Sequence, residues 1–209
     1  MKDNSGIISQ VSDYYSSKLC EHGATPQGVD WNGAEGQFLR FEQLNKVICN
    51  SGKFTLNDIG CGYGAFYDFL RTKYSSFDYV GVDVAANMIS AARQRYIGSA
   101  NAKFLCGTVP EVAADFTVAS GIFNVKLENS THDWKDYVLE TIAIIDKFST
   151  KGFAFNCLTS YSDAERMKDG LFYADPCELF NHCKIHYGRN VALLHDYNLF
   201  EFTIIVRKS

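Results

Sequence analysis

The segment LNDIGCGYGAF, residues 56–66, restricts the fold of this 209-residue chain more than any other stretch. An apolar run reaches an acidic residue, Asp58, and three glycines then follow at every second position. Glycine adopts positive φ angles and lets a ligand approach the backbone closely. The N–H groups that begin a following helix attract negative charge. The pattern predicts a strand, a loop and a helix that bind an adenosine-bearing ligand, which is either a dinucleotide or S-adenosylmethionine.

Short β-rich runs alternate with helix-like runs after residue 53. The candidate strands span residues 54–59, 78–83, 102–106, 116–121, 152–158, 190–195 and 200–207. The candidate helices span residues 65–74, 86–96, 133–148 and 175–184. Runs such as YVGVDV and FTVASGIF are apolar on both faces, as a sheet covered on both sides requires.

This alternation predicts an α/β, Rossmann-like fold with a seven-stranded, mostly parallel sheet and helices on both faces. Only a few residues separate the last two β-rich runs, which is too short for a parallel crossover. The last strand is therefore predicted to run antiparallel.

The first 50 or so residues have a different character. Two segments with helical periodicity, ISQVSDYYSSKLCEH and EGQFLRFEQLNKVI, flank the turn-rich stretch GATPQGVDWNG. We expect one domain over residues 1–209, because this length can bury a full hydrophobic core. Within it, residues 1–52 are expected to form a helical cap or lid and residues 53–209 the Rossmann-like core.

Composition argues against nucleic acids and membranes as partners without excluding them. The net charge is −4, and no run of like charges provides the basic field that a nucleic-acid binder usually needs. The N-terminus, MKDNSGIISQ, has no apolar core of signal-peptide length, so we expect no signal peptide. No run of about 18 apolar residues is present, so we expect no membrane span. Seven cysteines, an odd number without a CxxC pair, fit reduced thiols in a cytoplasmic protein. The sequence does not indicate an oligomeric state.

One stretch, CELFNHCKIH, contains the candidate metal ligands Cys177, His182, Cys183 and His186. On a helix each residue advances by about 100°, so these four side chains cannot converge on one ion. We therefore expect no metal site, and an amphipathic helix instead.

The choice between the two adenosine-bearing ligands depends on Asp58. The sequence satisfies G-x-G-x-x-G/A, and Asp83 follows Gly64 by 19 residues, as in a dinucleotide site. A carboxylate at Asp58 would repel a pyrophosphate, whereas it would suit the ammonium and sulfonium groups of S-adenosylmethionine. Asp83 could accept hydrogen bonds from the ribose hydroxyls of either ligand.

These motifs resemble the class I S-adenosylmethionine-dependent methyltransferases over about residues 34–209. NDIGCGYG resembles the first motif of that family, YVGVDVAANMISAAR the second-strand motif, and FTVASGIFN the fourth strand, whose end lies near the methionine part. FLCGTVP resembles the loop after strand three, but Thr108 replaces the acidic residue that often contacts the adenine amino group. The stretches GVDWN, FNVK, TSYSD, YADP and LLHDY are similar to bacterial small-molecule methyltransferases of unassigned substrate.

The resemblance implies S-adenosyl-L-methionine as the cofactor, with Asp83 on the ribose and Val84 and Met88 beside the adenine. Backbone atoms of Thr108 and Val109 would serve the adenine edge. Arg40, on the cap, could pair with the methionine carboxylate as a fork. The expected cofactor contacts are Arg40, Asp58, Gly60, Cys61, Gly62, Gly64, Asp83, Val84, Met88, Thr108, Val109 and Ser120.

Methyl transfer also needs an acceptor site and, for a hydroxyl or protonated amine, a proton acceptor. His132 and His195 are the candidate catalytic bases, each with a purely structural alternative as a helix-entry or strand-end histidine. The candidate acceptor contacts are Lys126, Tyr161, Asp163 and Tyr173. The signature of amino-nucleobase enzymes is absent, since the chain reads SGIF at that place.

Three functions remain open at this point. The favoured hypothesis is O- or N-methylation of a small-molecule acceptor. The alternatives are an NAD(P)-dependent oxidoreductase, which Asp58 disfavours, and a catalytically silent S-adenosylmethionine-binding protein that acts through interactions.

Overall fold

A computed structural model of the chain describes residues 4–49 and 52–208. Its central sheet has the strand order β3-β2-β1-β4-β5-β8-β7, and a two-residue strand, β6, pairs with β5. The strands are β1 (Phe54–Ile59), β2 (Phe77–Asp83), β3 (Ala102–Cys106), β4 (Ala114–Ala119), β5 (Ser149–Thr159), β6 (Tyr173–Ala174), β7 (Asn190–Leu194) and β8 (Glu201–Arg207). The helices are α1 (Ser5–His22), α2 (Ala34–Asn45), α3 (Ala65–Lys73), α4 (Ala86–Arg95), α5 (Thr131–Lys147) and α6 (Pro176–His186).

The pairing confirms the predicted Rossmann-like α/β architecture. Strand β8 runs antiparallel to both of its neighbours, β5 and β7, and the other pairs of the sheet are parallel. The predicted seven strands are present, and the short β6 is the addition. A run of two residues carries no periodicity, so sequence alone could not identify it.

One connection departs from ordinary strand–helix alternation. Strands β3 and β4 are parallel but are joined by the seven non-helical residues 107–113, whereas a parallel crossover usually takes a dozen or more. The sheet face under this segment is polar rather than apolar. Asn57 and the adjacent Thr117 are both buried there, and Asn57 Nδ2 donates to the Val112 carbonyl at 3.0 Å. An apolar helix would find no apolar surface to pack against on this part of the sheet, and residues 107–113 cross it without forming a helix.

Two hydrophobic clusters cover the two faces of the sheet. One contains aromatic residues of β1–β4 together with α2, α3 and α4. The other joins β4, β5 and β8 to α5 and α6. Trp134 of α5 is fully buried in the second cluster, where its Nε1–H donates to the Phe123 carbonyl at 2.8 Å. This contact fixes the loop between β4 and α5, which borders the site described below.

The two N-terminal helices are placed differently. Helix α2 belongs to the core, because Phe41 and Leu44 are buried in the first cluster. Helix α1 has no buried residue and extends from α5 to the end of β2. At its start Asn4 Nδ2 donates to Glu140 Oε2 at 2.8 Å, and farther along Ser12 Oγ donates to the Val84 carbonyl at 3.3 Å.

The predicted division at residue 52 remains a prediction, and residues 1–3, 50 and 51 of the expected cap lie outside the described residues. No helix in the described ranges is long and apolar enough to cross a membrane.

Candidate active site

The glycine loop follows β1 directly and leads into α3. Gly60 and Cys61 both donate their N–H groups to the Val82 carbonyl, at 2.7 and 3.1 Å, which bends the chain toward β2. Gly60 has a φ of 74° and Gly64 a φ of 85°. A Cβ at Gly60 would lie 2.1 Å from Ile122 Cγ2, and one at Gly64 would lie 2.6 Å from the Tyr96 ring. Both positions therefore require glycine for conformation and for space.

Asp83 connects the loop to the end of β2. Its Oδ2 accepts the Gly62 N–H at 2.8 Å, and its Oδ1 accepts the Ala85 N–H at 2.9 Å. Burial raises the pKa of the carboxyl, and the backbone hydrogen bonds lower it. Each oxygen retains a lone pair that can accept a hydroxyl hydrogen. Asp83 can therefore hold the loop and two ligand hydroxyls at once.

Asp58 is a buried acid at the end of β1, with 2% of its surface exposed. Tyr79 Oη donates to Asp58 Oδ2 at 2.6 Å. The pKa of Asp58 is raised to about 7: burial is the main cause, the hydrogen bond from the Tyr79 hydroxyl lowers the pKa, and the charge of Asp83 adds a smaller increase. A cationic ligand group beside Asp58 would replace the solvation that the carboxylate loses on burial.

We expect the titration of Asp58 to lower the stability of the unliganded protein as the pH rises from about 4 to about 7. Over this window the folded state keeps a proton on Asp58 that the unfolded chain releases, because the folded pKa is about 7 and the unfolded value is near 4. The loss should be up to about 1.4 kcal/mol per pH unit and should end above the folded pKa. Urea unfolding of wild type and Asp58→Asn across this range measures it.

The Asp58→Asn variant should show a shallower slope, since asparagine can still accept from Tyr79 but does not ionise. Asp163→Asn, at an exposed acid, should keep the wild-type slope and serves as the control. Parallel slopes in wild type and Asp58→Asn would show that Asp58 titrates as an ordinary solvated acid.

A cavity of about 420 Å³ opens beside these residues. The predicted cofactor contacts that line it are Asp58, Gly60, Cys61, Gly62, Asp83, Val84, Met88, Thr108, Val109 and Ser120. Within the described residues, Ser120 Oγ is buried without a hydrogen-bond partner. A buried hydroxyl of this kind in a cavity wall normally forms its hydrogen bond with a ligand or a water molecule.

Arg40 differs from its predicted role. Its Nε–H donates to Glu201 Oε2 at 2.8 Å and its Nη2–H donates to Glu201 Oε1 at 2.6 Å, and Arg40 is not among the described residues that line the cavity. The fork expected to meet a cofactor carboxylate is already occupied by Glu201. The guanidinium also lies 4.0 Å from the centroid of the Trp31 ring, and Trp31 itself lines the cavity.

A closed set of contacts continues from this pair and was missed by sequence reasoning. Asn156 Nδ2 donates to Glu201 Oε2 at 2.5 Å, and Asn156 Oδ1 accepts the Gly121 N–H at 2.8 Å. Gly121 has a φ of 74°, and a Cβ there would lie 2.4 Å from the Trp31 ring. We name Trp31, Arg40, Glu201, Asn156 and Gly121 the polar ring. A charged residue inside the apolar run FEFTIIV was the signal that could have identified Glu201.

The predicted catalytic histidines are outside the cavity lining. The His132 side chain is 81% exposed, and its Nε2 lies 3.8 Å from Asp136 Oδ2 in the first turns of α5. His195 is exposed and packs between the rings of Tyr161 and Phe202. Both positions agree with the structural alternatives rather than with a base facing the cavity.

The predicted acceptor contacts are also outside the lining. Lys126 Nζ lies 3.4 Å from the carbonyl oxygens of Leu127 and Asn129 in its own loop. Asp163 pairs with Arg166. Tyr161 is 69% exposed, and Tyr173 Oη accepts the Lys168 N–H at 3.0 Å. These four residues follow β4 and β5 in the chain as expected, but none of them is among the described residues that line the cavity.

The second half of the cavity is formed by helices instead. Four of the lining residues lie on one face of α5, and five lie on α1 or at its N-cap. The residues of α5 are Tyr137, Glu140, Thr141 and Ile144, and those of α1 and its N-cap are Asn4, Ser5, Ile8, Val11 and Tyr15. The spacing of three and four residues places each set on one helix face. Sequence reasoning missed these residues, because nothing in either helix indicates that the two faces meet.

Comparison with known proteins agrees with this geometry. A family model described as "Methyltransferase domain" matches residues 57–144, which include the glycine loop and Asp83. "Putative methyltransferase Rv1506c" from Mycobacterium tuberculosis (strain ATCC 25618 / H37Rv) is 49% identical over 164 residues, which cover 78% of this chain and 99% of the relative.

Two solved structures share the fold. Magnesium protoporphyrin IX methyltransferase from Synechocystis PCC 6803, with bound SAM, superimposes with a TM-score of 0.68 at 11% identity over 97% of both chains. A DhpI-SAH complex does so with a TM-score of 0.66 at 15% identity over 98% of both chains. Together with the 49% identical relative, which the match covers almost entirely, these observations show that the chain belongs to the class I S-adenosylmethionine-dependent methyltransferases.

Proposed function

We propose that the enzyme transfers the methyl group of S-adenosylmethionine to a hydroxyl or amine of a small-molecule acceptor. The observation that carries this proposal is one continuous cavity, formed on one side by the glycine loop and on the other by α1 and α5. The first side can hold the cofactor, and the second side leaves room for an acceptor beside it. The name of the Synechocystis neighbour describes a protein that acts on a small molecule, which supports a small-molecule acceptor but does not indicate the acceptor atom.

The residues fit the cofactor group by group. Asp83 would accept the ribose hydroxyls, and Val84 and Met88 would pack against the adenine. Asp58 would face the ammonium group, since its carboxylate is buried and lacks a cationic partner among the hydrogen bonds described for it. The N-terminus of α3, with Ala65 and Phe66 in the cavity wall, would receive the carboxylate that Arg40 cannot reach.

Methyl transfer is an in-line displacement, so the acceptor atom must lie close to the methyl group and opposite the departing sulfur. Positioning can supply most of the acceleration in such a reaction. Helix α1 covers the cavity without burying any residue of its own, as expected of a lid that keeps water out and lets ligands enter. The polar ring would fix Trp31 and the loop at Ser120, which lie at the methionine end.

Asp58 also disfavours the oxidoreductase alternative. A pyrophosphate at the glycine loop would bring two negative charges toward the buried carboxylates of Asp58 and Asp83, and the described cavity lining contains no Lys or Arg to compensate for them.

A product assay tests the proposal. The enzyme is incubated with S-adenosylmethionine and a panel of small alcohols and amines, and S-adenosylhomocysteine is quantified by mass spectrometry. We expect acceptor-dependent product with wild type and a loss of at least tenfold with Asp83→Ala. Cofactor binding without product from any acceptor, above the acceptor-free blank, would favour the catalytically silent alternative.

A further inference from the structure

We propose that the space between α1 and α5 is the acceptor site, and that it takes an apolar, ring-sized acceptor that is uncharged or carries an amine and excludes carboxylates. This inference rests on the proposed function, because it names the acceptor class for the same cavity. It replaces the acceptor site that sequence reasoning placed after β4 and β5.

The position of this groove suits an acceptor. Ile122, in the loop after β4, lies against the Gly60 backbone, and it also lines the cavity. The groove therefore begins next to the glycine loop, where the reactive end of the cofactor would lie. From there it continues along α5 from Tyr137 to Ile144, which are two turns apart.

The groove walls are largely apolar. Ile8, Val11 and Tyr15 contribute from α1, and Tyr137, Thr141 and Ile144 contribute from α5. Two tyrosine rings and several branched aliphatic side chains provide surface that favours an apolar or aromatic body.

The charges in the wall exclude an anion. The acidic residues Asp58, Asp83 and Glu140 line the cavity, and the described lining residues include no Lys, Arg or His. Glu140 already accepts a hydrogen bond from Asn4. A carboxylate or phosphate acceptor would lose its hydration here, and the described lining has no Lys, Arg or His to replace it. A hydroxyl does not carry this cost, and an ammonium group that loses its hydration here faces acidic rather than basic residues.

The two basic residues that the sequence analysis placed at the site do not reverse this conclusion. Arg40 is held by Glu201, and Lys126 is held by carbonyl oxygens of its own loop. Neither belongs to the described cavity lining.

Two hydroxyls can orient a neutral acceptor. Burial raises the pKa of Tyr15, and the negative charge of Asp30 raises it further. Burial likewise raises the pKa of Tyr137, with a smaller contribution from Asp83. Both hydroxyls therefore remain protonated, so each can donate to an acceptor oxygen or nitrogen and accept from it.

Three probes of similar size and different charge test the acceptor class. The full chain, saturated with S-adenosylhomocysteine, is titrated with 2-phenylethanol, 2-phenylethylamine and phenylacetate, and binding is followed by ligand-observed NMR. The alcohol and the amine should bind at least tenfold more tightly than phenylacetate. Phenylacetate binding as tightly as the other two, or binding of none of the three to the cofactor-loaded protein, would overturn the proposal.

A filled-groove variant tests the location. Ile8→Trp should weaken binding of the alcohol and the amine at least tenfold and change the Kd for S-adenosylhomocysteine less than twofold. Ser9→Trp, at an exposed residue of the same helix that does not line the cavity, should leave both affinities unchanged.

The possible failures are distinguishable. If Ile8→Trp weakened S-adenosylhomocysteine and the probes equally, the groove would be part of the cofactor site and the proposal would be overturned, while the proposed function would stand. If wild type failed to bind S-adenosylhomocysteine at all, the proposed function would fail and this inference with it.

Discussion

Replacing Glu201 with alanine should lower the free energy of unfolding by roughly 3–5 kcal/mol, the usual cost of removing one partner of a buried ion pair. Glu201 is 1% exposed and receives three hydrogen bonds, two from Arg40 and one from Asn156. Without the Glu201 carboxylate, the largely buried guanidinium of Arg40 and the side-chain amide of Asn156 both lose their hydrogen-bond acceptor. Urea unfolding of the unliganded protein, monitored by circular dichroism, measures the change.

Two matched variants sharpen this prediction. Glu201→Gln keeps an acceptor for part of the polar ring and should lose less stability than Glu201→Ala. Glu111→Ala removes a surface ion pair with Lys103, whose side chains are both more than half exposed, and should cost no more than about 1 kcal/mol. Equal costs for Glu201→Ala and Glu111→Ala would show that the polar ring contributes nothing specific.

Asp83→Ala should weaken binding of S-adenosylhomocysteine by roughly 1–3 kcal/mol, or about 5- to 150-fold, because charged hydrogen-bond partners of the ribose are lost. The carboxylate also holds Gly62 and Ala85, so part of the loss should come from a looser glycine loop. Isothermal titration calorimetry measures the affinity, and a melting curve of the unliganded variant shows whether the fold is retained.

Asp68→Ala provides the control for Asp83→Ala. Asp68 is an acid on the adjacent α3 that pairs with Arg95 at the surface, and its loss should leave the affinity unchanged. Wild-type affinity in a folded Asp83→Ala variant would remove Asp83 from the cofactor site.

The cofactor half of the site could be predicted because its determinants are local. A strand end, a glycine loop and a helix start within the residues 56–66 fix their own geometry, and the acid at the end of the next parallel strand must lie beside them. Asp58 and Asp83 occupy neighbouring strands for this reason. Thr108 and Val109 follow β3 in the same way and reach the same edge.

The acceptor half depends on long-range packing, which the sequence does not show. Tyr137 and Thr141 face the cavity only because α1, more than 100 residues earlier, lies against α5. Each helix has several rows of side chains along its length, and the periodicity of the sequence does not indicate which row packs against another helix. His132 and His195 were chosen by chemical type, but both are exposed, His132 in the first turn of α5 and His195 just after β7.

The role of Arg40 was predicted differently from what the structure shows, for another reason. The sequence indicated that a helical arginine near the glycine loop could meet a carboxylate, and the structure provides a carboxylate from β8, 161 residues away. A buried acid inside an apolar strand needs a partner. The sequence indicates that Glu201 needs a basic partner, but only the structure shows that the partner is Arg40.

Whether the glycine loop binds the methyl donor or a dinucleotide is decided by calorimetric titration of the wild-type protein with S-adenosylhomocysteine and, in parallel, with NAD and NADP. We expect a Kd in the micromolar range for S-adenosylhomocysteine and no measurable heat from either dinucleotide. Tighter binding of NAD or NADP than of S-adenosylhomocysteine would contradict this expectation.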